Sequence, residues 1–472
     1  MAKAIDDALK YAARLNETNG LEDISLPEEK PWPAMDPVAY QGLAGEIVKV
    51  IGPETEADSV GLLASILTSY GNACGRGPHY LVGATTHRAN LFCTLVGQSA
   101  KARKGTCGDL CEALFNYADQ EWVSHHRFSG LSTGEGLAWL ARDTEAEDLD
   151  DDTPNSSKMQ KKTIEKPRLA DDKRAFFDET ELAVVLQNAS RAGNNLSAMV
   201  RKLWDGKKLE FRTKNSSFST TGMHGSITAH ITLDELKSLL GAVDIANGFA
   251  NRFLWLLVKR SKLLPYGGDL TKLPGFGKTI CQGLNESKRV TRMSFSESAS
   301  KVWECAYAGE LAKEDTGLVG TITCRAEAQA LRLAMTYALI GESHVIEIDH
   351  LKAALSVWDY ARQSAVYIFG DYQIGLSGKI LTLLRSAGKS GMSRTDISKG
   401  LSRHIQSEKI IAELAALKQA GSAETELRQR TGGGNPIEIW RLKRPGEDFA
   451  MGLPKAALTI KDFKKSETSE IV

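Results

Sequence analysis

Between residues 90 and 260, short apolar runs alternate with segments of helical periodicity, and this alternation constrains the fold more than any other feature. The runs are residues 91–96, 175–177, 227–231 and 253–258. A strand buried in a parallel sheet reads as a nearly continuous apolar run, and parallel neighbours need a crossover that is usually a helix. The sequence therefore predicts an α/β fold built on a parallel sheet, with its core domain over residues 81–268.

Helical patterns flank the predicted sheet on both sides. Before it, apolar residues recur at helical spacing, which predicts a helical subdomain over residues 35–80. After it, Arg325–Leu339 and His350–Phe369 each carry a face rich in alanine and leucine. These two segments predict a helical lid over residues 269–373.

The next part of the chain has the element order of a winged helix. Helices predicted near Lys379, Arg394 and Ile405 are followed by two strand-like segments around a TGGGNP turn. Residues 376–445 hold 13 Lys and Arg against 6 Asp and Glu, although the whole chain has no net charge. The pattern predicts a basic winged-helix domain over residues 374–446.

Three segments are too polar to bury a core of their own. We expect an N-terminal arm over residues 1–34, a solvated acidic insertion over 144–170 and a disordered tail over 447–472. The balance of 59 basic and 59 acidic residues argues against a protein that coats polyanions along its whole surface.

Cysteine usage and hydropathy indicate the cellular compartment in which the protein is expected. The seven cysteines include no Cys-x-x-Cys pair, which favours a reducing compartment and argues against structural zinc. There is no apolar signal segment, and no run approaches the roughly 18 apolar residues of a membrane span. We therefore expect a cytoplasmic protein without a membrane partner.

The first apolar run leads into a glycine- and lysine-containing loop, Gly97–Thr106 (GQSAKARKGT), and then into a helical segment. A strand, a glycine turn and a helix in this order are typical of a phosphate loop, although the loop sequence differs from the usual Gly-x4-Gly-Lys-Ser/Thr motif. We predict nucleotide binding by the backbone at Gly97 and Gly105 and by Lys104, with Arg103 as the rival cation. Thr106 would supply a hydroxyl to Mg²⁺. The alternative is a basic surface turn.

Two later runs carry polar residues, one at its end and one within it. Asp178 and Glu179 close the second run, and we predict that Asp178 holds Mg²⁺ while Glu179 acts as the general base. His230 interrupts the third run and could contact the γ-phosphate through the attacking water. Acids that end a strand by chance, and a core histidine with satisfied hydrogen bonds, are the alternatives.

Cations outside the phosphate loop complete the predicted site. Arg252 precedes the fourth run and suits an arginine finger that reaches a neighbouring subunit's ATP; a surface arginine capping a core strand is the alternative. A hairpin over Lys207–Lys214 would face a phosphate backbone, unless it is only a solvated basic loop. DNA contacts are expected from Lys207, Lys208, Arg212 and Lys214 and, in the winged helix, from Arg403, Lys409, Arg428 and Arg430.

These segments, in this order, resemble a family of AAA+-like ATPases encoded by phages, plasmids and integrated elements. Members are often fused or partnered with primases and are described as replicative helicases. The matching segments are residues 103–106 (RKGT), 130–137 (GLSTGEGL), 195–197 (NLS), 204–206 (WDG), 246–255 (ANGFANRFLW) and 264–265 (LP). The resemblance implies an AAA+ or RecA-like P-loop core, ATP and Mg²⁺ as cofactors, a hexameric ring and a primase as a candidate partner.

The layout is also similar to that of the minichromosome-maintenance helicases. The counterparts here are Leu137–Asp143, the acidic insertion, Asp178 with Glu179, the Lys207–Lys214 hairpin, His230, Arg252 with its neighbours, Arg325 and the C-terminal module. The similarity implies that Arg252 and Arg325 act on the ATP of an adjacent subunit and that the hairpin moves along single-stranded or forked DNA. The irregular phosphate loop, and His230 where an asparagine is expected, depart from it.

Two other functions fit the same sequence. The irregular loop would also suit a DNA-binding replication initiator or regulator that binds nucleotide without using it as fuel. An ATPase switch in phage defence or plasmid maintenance would need the same loop but would never unwind DNA.

Overall fold

The computed structural model describes residues 31–143, 168–212, 217–315, 317–370, 376–401, 405–419, 423–429 and 436–442. The chain forms two compact units, Met1–Tyr372 and Gln373–Val472. Most of the predicted arm, the predicted tail and nearly all of the predicted acidic insertion lie outside the described residues.

The first unit alternates strands and helices. Its strands are β1 (His79–Val82), β2 (Thr85–Arg88), β3 (Phe92–Gly97), β4 (Arg127–Phe128), β5 (Arg174–Glu179), β6 (Leu209–Arg212), β7 (Ser217–Thr220), β8 (His224–Thr232), β9 (Leu254–Leu257), β10 (Ser294–Phe295) and β11 (Val345–Ile346). Its helices are α1 (Gly42–Ile51), α2 (Ser59–Ala73), α3 (Lys104–Ala118), α4 (Gln120–His125), α5 (Gly134–Trp139), α6 (Leu182–Ala189), α7 (Leu196–Trp204), α8 (Leu233–Leu239), α9 (Ala242–Ala246), α10 (Leu273–Ser287), α11 (Glu297–Ala308), α12 (Gly317–Thr323), α13 (Ala326–Ile340) and α14 (Ile348–Phe369).

A five-stranded sheet forms the centre of this unit. Its strands lie in the order β4-β5-β8-β3-β9, and every neighbouring pair is parallel. All six residues of β3 and all four of β9 are buried, as expected for strands covered on both faces. The predicted α/β fold with a parallel sheet is confirmed.

The order of the strands creates a crevice at one edge of the sheet. Strand β3 comes first along the chain, yet it lies between β8 and β9, with Val96 opposite Ile231 on one side and Leu257 on the other. Because all five strands are parallel, their carboxyl ends lie on the same side of the sheet. Open α/β sheets bind ligands outside the carboxyl ends of strands, where the strand order reverses.

Helices before and after the sheet belong to one hydrophobic core. In α2, the buried Tyr70 hydroxyl donates to Leu339 O of α13 at 3.0 Å. From α13, Tyr337 donates to Ala39 O at 2.6 Å. The helices predicted as an N-terminal subdomain and a lid therefore pack as parts of the same unit.

A basic β-hairpin follows α7. Strands β6 and β7 pair antiparallel, with Phe211 opposite Phe218 and Arg212 opposite Ser217. The Phe218 ring also meets the Trp139 ring of α5 edge-on at 5.0 Å. A hairpin is therefore present, but its strands span residues 209–220 rather than the predicted 207–214, and residues 213–216 lie outside the described range.

The second unit contains three helices and a small sheet. Its elements are α15 (Leu376–Ala387), β12 (Met392–Ser393), α16 (Arg394–Gly400), α17 (Ser407–Gln419), β13 (Ala423–Arg428) and β14 (Ile437–Leu442). The sheet has the order β12-β14-β13, and Ile380, Leu384, Ile397, Leu414 and Trp440 contribute to its own apolar core. The predicted helices and terminal hairpin are present, and β12 is an additional strand.

Among the described residues, no helix combines the length and the apolarity that a bilayer span requires.

Candidate functional site

The loop after β3 turns tightly at the carboxyl edge of the sheet. The chain leaves β3 at Gly97, makes a single 3-10 turn over Ala100–Ala102 and enters α3 at Lys104. A side chain at Gly97 would meet the Ala102 Cβ at 2.5 Å, so the loop folds back over a position where glycine fits best. Arg103 caps α3 with φ 56° and ψ 34°, a left-handed conformation that few residues other than glycine adopt.

The two rival cations of this loop point to different places. Lys104 is buried and its Nζ donates to Ser99 O at 3.1 Å, so the ammonium lies within the curve of the loop. Burial lowers the pKa of Lys104. The Arg103 Nε instead lies 2.7 Å from Glu56 Oε2, outside the loop. Lys104 is therefore the cation of this pair that lies inside the loop.

The amino end of α3 adds backbone donors beside Lys104. The first four N–H groups of a helix lack partners within the helix, and they favour anions. Gly105 has no neighbour within 4 Å of where a side chain would project, which leaves the backbone approachable. Thr106 is partly exposed in the same first turn. Gly97, Lys104, Gly105 and Thr106 thus lie together, as the sequence predicted.

A polar stripe lies on one face of the sheet next to α3. Asp178 of β5 is in register with Thr228 of β8, and His230 follows Thr228 by two residues, so the three side chains share a face. A side chain built at Gly108 of α3 would lie 3.5 Å from Asp178 Oδ2 and 3.9 Å from His230 Cε1. The stripe is therefore directly beneath the first turns of α3.

Each member of this stripe carries a buried polar atom without a hydrogen-bond partner among the described residues. The atoms are Asp178 Oδ1, Thr228 Oγ1 and His230 Nε2. Buried polar atoms without partners are rare in native proteins and point to an unseen water, ion or ligand. Burial, with the positive charge of Lys104 nearby, lowers the pKa of His230 to about 4. His230 is thus a neutral imidazole near the loop.

The other oxygen of Asp178 is held by an arginine that the sequence did not single out. Arg127 Nη2 lies 2.6 Å from Asp178 Oδ2, and Arg127 belongs to β4 at the edge of the sheet. Strand β4 has only two residues, so no apolar run marked it in the sequence. The pair fixes one carboxylate oxygen and leaves Oδ1 facing the buried polar stripe.

The donor set at this edge fits Mg²⁺. This ion prefers oxygen ligands, keeps several waters and is usually bound by one or two carboxylates together with substrate phosphates. Asp178 Oδ1 is an oxygen of this kind, and Thr106 lies in the adjacent first turn of α3. No cluster of three His, Cys, Asp or Glu residues that could hold a metal exists in the described part of the chain. A solvated ion shared with a phosphate suits these residues better than a closed protein cage.

Glu179, the predicted base, is bonded to a neighbouring loop. Its Oε2 accepts from Gly130 N at 3.1 Å and its Oε1 accepts from Leu131 N at 2.9 Å. Burial raises the pKa of Glu179 despite these two bonds. The carboxylate is thus adjacent to Asp178 along β5, but both of its oxygens hold backbone donors.

Arg252 and Arg325 lie together around a buried tryptophan. The Arg252 guanidinium is 5.6 Å and that of Arg325 is 5.2 Å from the centre of the Trp204 ring. Arg252 is only 5% exposed, so it is neither the surface arginine of the alternative nor, in this position, an accessible finger. A third arginine, Arg332, stacks at 3.6 Å on the same ring, and nothing in the sequence pattern marked it.

This arginine cluster lies near the amino ends of the strands, whereas the loop lies at their carboxyl ends. Arg252 immediately precedes β9, whose Leu254 pairs with Cys93 near the start of β3. The loop begins where β3 ends, at Gly97. At about 3.3 Å per strand residue, the two edges are roughly 15–20 Å apart. Arg252 therefore does not belong to the polar group formed by Lys104, Asp178 and His230.

The predicted DNA contacts are exposed where the structure describes them. Lys207, Lys208 and Arg212 lie on or beside the β6–β7 hairpin, where Glu210 pairs with Lys208 at 3.1 Å and with Arg212 at 3.4 Å. In the second unit, Lys409 is exposed on α17, and Arg428 on β13 pairs with Glu426 at 3.1 Å. Lys214, Arg403 and Arg430 lie outside the described residues.

No protein-family model matches this chain, and no curated protein matches it significantly.

Proposed function

We propose that this chain is an ATP hydrolase with a P-loop core that binds Mg-ATP at the carboxyl edge of its parallel sheet. One observation carries the proposal. The buried Lys104 ammonium and the amino end of α3 lie beside the polar stripe in which Asp178 Oδ1 and His230 Nε2 lack partners. A cation, helix amides and an unpaired carboxylate oxygen at one crevice suit a metal-bound polyphosphate.

Each residue then has a chemical role. Lys104 and the α3 amides would neutralise the phosphates, while Thr106 and Asp178 would contact Mg²⁺ or its waters. When bound, Mg²⁺ would stabilise the charge that develops on the leaving phosphate. His230, being neutral, could hydrogen-bond the γ-phosphate or the attacking water. Glu179 stays the predicted base, since a raised carboxylate pKa suits proton abstraction near neutral pH.

The position of the arginine cluster supports an oligomer. Arg252 and Arg325 are at the amino edge of the sheet, so they would meet a γ-phosphate only on another copy of the chain. Arg325 suits that role better, because it is partly exposed while Arg252 is buried against Asp205. A ring, expected to be a hexamer by resemblance, would place these arginines at each subunit interface.

Two basic elements support DNA as the partner. Lys207, Lys208 and Arg212 are exposed on or beside the β6–β7 hairpin, and the second unit contains helices and a terminal hairpin in the order expected of a winged helix. ATP hydrolysis would move the hairpin along single-stranded or forked DNA while the winged helix holds duplex DNA or a partner such as a primase. The function we propose is a helicase- or translocase-type ATPase in the replication of a phage, plasmid or integrated element.

A second candidate is favoured by two contacts. Glu179 uses both carboxylate oxygens on the Gly130–Leu131 backbone, and Arg252 is engaged by Asp205. A protein that binds ATP tightly but hydrolyses it slowly would have this arrangement. In that case the chain is a nucleotide-dependent DNA-binding initiator or regulator, or a switch in phage defence, rather than a motor.

The test is ATP hydrolysis by the wild type and by Lys104→Ala, with and without single-stranded DNA and Mg²⁺. Lys101→Ala is the matched control, because Lys101 is an exposed lysine of the same loop. We expect DNA-stimulated turnover that Lys104→Ala lowers at least about a hundredfold and Lys101→Ala leaves nearly intact. Binding of ATP without turnover in the wild type would favour the second candidate, and absence of both would refute the proposal.

A further inference from the structure

Two aromatic side chains lie next to the phosphate loop and have no role in the chemistry above. The rings of Trp32 and Tyr367 meet at a centroid distance of 5.5 Å and an angle of 63°. The Tyr367 hydroxyl lies 3.5 Å from Nε2 of Gln98, the residue that follows Gly97 in the loop. Both rings are only partly buried. An accessible aromatic pair thus borders the loop directly.

The fold places this pair on the side of β3 away from Asp178. Tyr367 is on α14, and that helix lies along β9: Tyr360 donates to Leu257 O at 2.7 Å, and Ser364 Oγ accepts from Leu257 N at 3.2 Å. Trp32 is held there as well, with the Lys259 ammonium 5.3 Å from the ring centre. Asp178, in contrast, is on β5, beyond β8.

The crevice therefore offers two kinds of surface along one line. From β9 to β5 there are three strand spacings, roughly 14 Å. Asp178 supplies a metal ligand at one end, Lys104 and the α3 amides follow β3 between the two ends, and the aromatic pair supplies flat apolar rings at the other end. A nucleoside triphosphate has a matching arrangement, with charged phosphates at one end and a base that can stack on aromatic rings at the other.

We propose that Trp32 and Tyr367 form the base-stacking subsite for the nucleoside triphosphate whose phosphates the loop binds. The proposal rests on the proposed function, because the loop must hold the phosphates for the base to reach the pair. Aromatic rings bind bases through their π-faces, and both rings have few rotatable bonds to immobilise. The cation–π contact of Lys259 keeps the Trp32 ring in position for this contact.

The experiment measures equilibrium binding of Mg-ATP and of inorganic triphosphate to the purified full chain. Inorganic triphosphate has the phosphates of ATP but no base, so it reports on the loop alone. The variants are Trp32→Ala, Trp32→Phe and Tyr367→Ala. Tyr307→Ala is the control, because Tyr307 on α11 is a half-exposed tyrosine that pairs with Trp303 at 5.9 Å, away from the loop.

We expect Trp32→Ala and Tyr367→Ala each to weaken ATP binding roughly five- to hundredfold and to leave triphosphate binding unchanged. Trp32→Phe should recover most of the ATP affinity, and Tyr307→Ala should match the wild type. Equal loss of both ligands, or unchanged ATP binding in both alanine variants, would overturn the base subsite while leaving the phosphate loop in place. A wild type that binds neither ligand would remove the proposed function itself, and the subsite with it.

Discussion

Arg252 Nη2 lies 2.8 Å from Asp205 Oδ2, and this ion pair fixes the arginine inside the first unit. The side chain is 6% exposed and its guanidinium also faces the Trp204 ring. An arginine held in this way stabilises the fold, and it could reach another molecule only if this ion pair were broken. Arg325, which donates its Nε to Asn251 Oδ1 at 2.9 Å, is the more accessible member of the cluster.

Replacing these two arginines should separate stability from turnover. We expect Arg252→Ala to lower the free energy of unfolding by about 2–4 kcal/mol, because it leaves Asp205 without its partner and a gap beside Trp204. Arg325→Ala should cost less than about 1 kcal/mol and lower ATP turnover at least tenfold. Urea denaturation and steady-state hydrolysis measure the two effects. An Arg252→Ala protein as stable as the wild type would contradict this reading of the pair.

The unpaired oxygen of Asp178 predicts a defect in metal use. Asp178→Asn keeps the shape of the side chain but weakens its affinity for Mg²⁺. We expect turnover to fall at least about a hundredfold at saturating Mg²⁺, with nucleotide affinity measured in EDTA unchanged. Asp109→Asn is the control, since Asp109 is an exposed acid on α3, the helix that packs over Asp178. Equal turnover of Asp178→Asn and the wild type would exclude Asp178 as a metal ligand.

Two buried histidines predict a loss of stability in mild acid. Burial lowers the pKa of both His224 and His230 to about 4, from the usual value near 6.5. The unfolded chain therefore binds more protons in this interval, so stability is full above pH 6.5 and decreases as the pH falls towards 4. Each histidine contributes up to about 3 kcal/mol by linkage.

Denaturant titrations from pH 7.5 to 4.5 would measure this dependence. His224 Nε2 bonds Gly71 O at 2.8 Å, and His224→Gln preserves an amide donor for that carbonyl while removing the titration. We expect the variant to flatten the acid limb of the stability curve. His125→Gln, at an exposed histidine, should leave the curve unchanged. A curve that His224→Gln does not alter would show that His224 titrates normally.

Gly71 allows α2 to approach the segment that leads into β3. A side chain at Gly71 would lie 2.1 Å from Ala89 O, a backbone atom that cannot move out of the way easily. We expect Gly71→Ala to destabilise the first unit by about 2–4 kcal/mol, measured as a lowered midpoint of thermal or urea unfolding. Gly275→Ala, in α10 with open space around it, should instead stabilise by about 0.5–1 kcal/mol. Similar midpoints for the two variants would contradict the close approach.

The charges of the β6–β7 hairpin predict how DNA binding depends on salt. Each phosphate neutralised on a single strand adds about 0.7 to the slope of log K against log salt. Lys207→Ala combined with Arg212→Ala should weaken single-stranded DNA binding and reduce that slope by about 1.4. Glu210→Gln should strengthen binding, because Glu210 pairs with Lys208 and Arg212. A slope unaffected by any of these changes would place the DNA elsewhere.

The long apolar runs predicted the main strands closely. Residues 91–96 overlap β3 (Phe92–Gly97) in all but their first residue, 227–231 lie within β8, and 253–258 enclose β9. Strand β4 was missed because its two residues, Arg127 and Phe128, form no run; the sheet pairs them with Phe176 and Phe177. The order of the strands was not available from the pattern either, since it depends on which strand each helix crosses.

For the candidate site, the sequence singled out residues that the fold brings together, but not all of their contacts. Lys104 was expected from the loop after the first run, Asp178 from the end of the second run and His230 from within the third, and the structure brings the three close together. The choice between Lys104 and Arg103 needed Glu56, which is about 47 residues away in sequence and 2.7 Å away in space from Arg103. The burial of Arg252 could not be predicted from the sequence either, because it depends on Asp205 and Trp204 from a different segment.

Glu56 supports the Gly97–Thr106 loop from outside the loop. Ordinarily a glycine relieves the strain of a left-handed turn, but here Arg103 takes that conformation and is braced by Glu56, which also holds Arg260 and accepts from Leu264 N. Counterions weaken an ion pair such as Arg103–Glu56, because the Arg103 side chain is half-exposed. We therefore expect the conformation of the loop to depend on ionic strength as well as on the sequence.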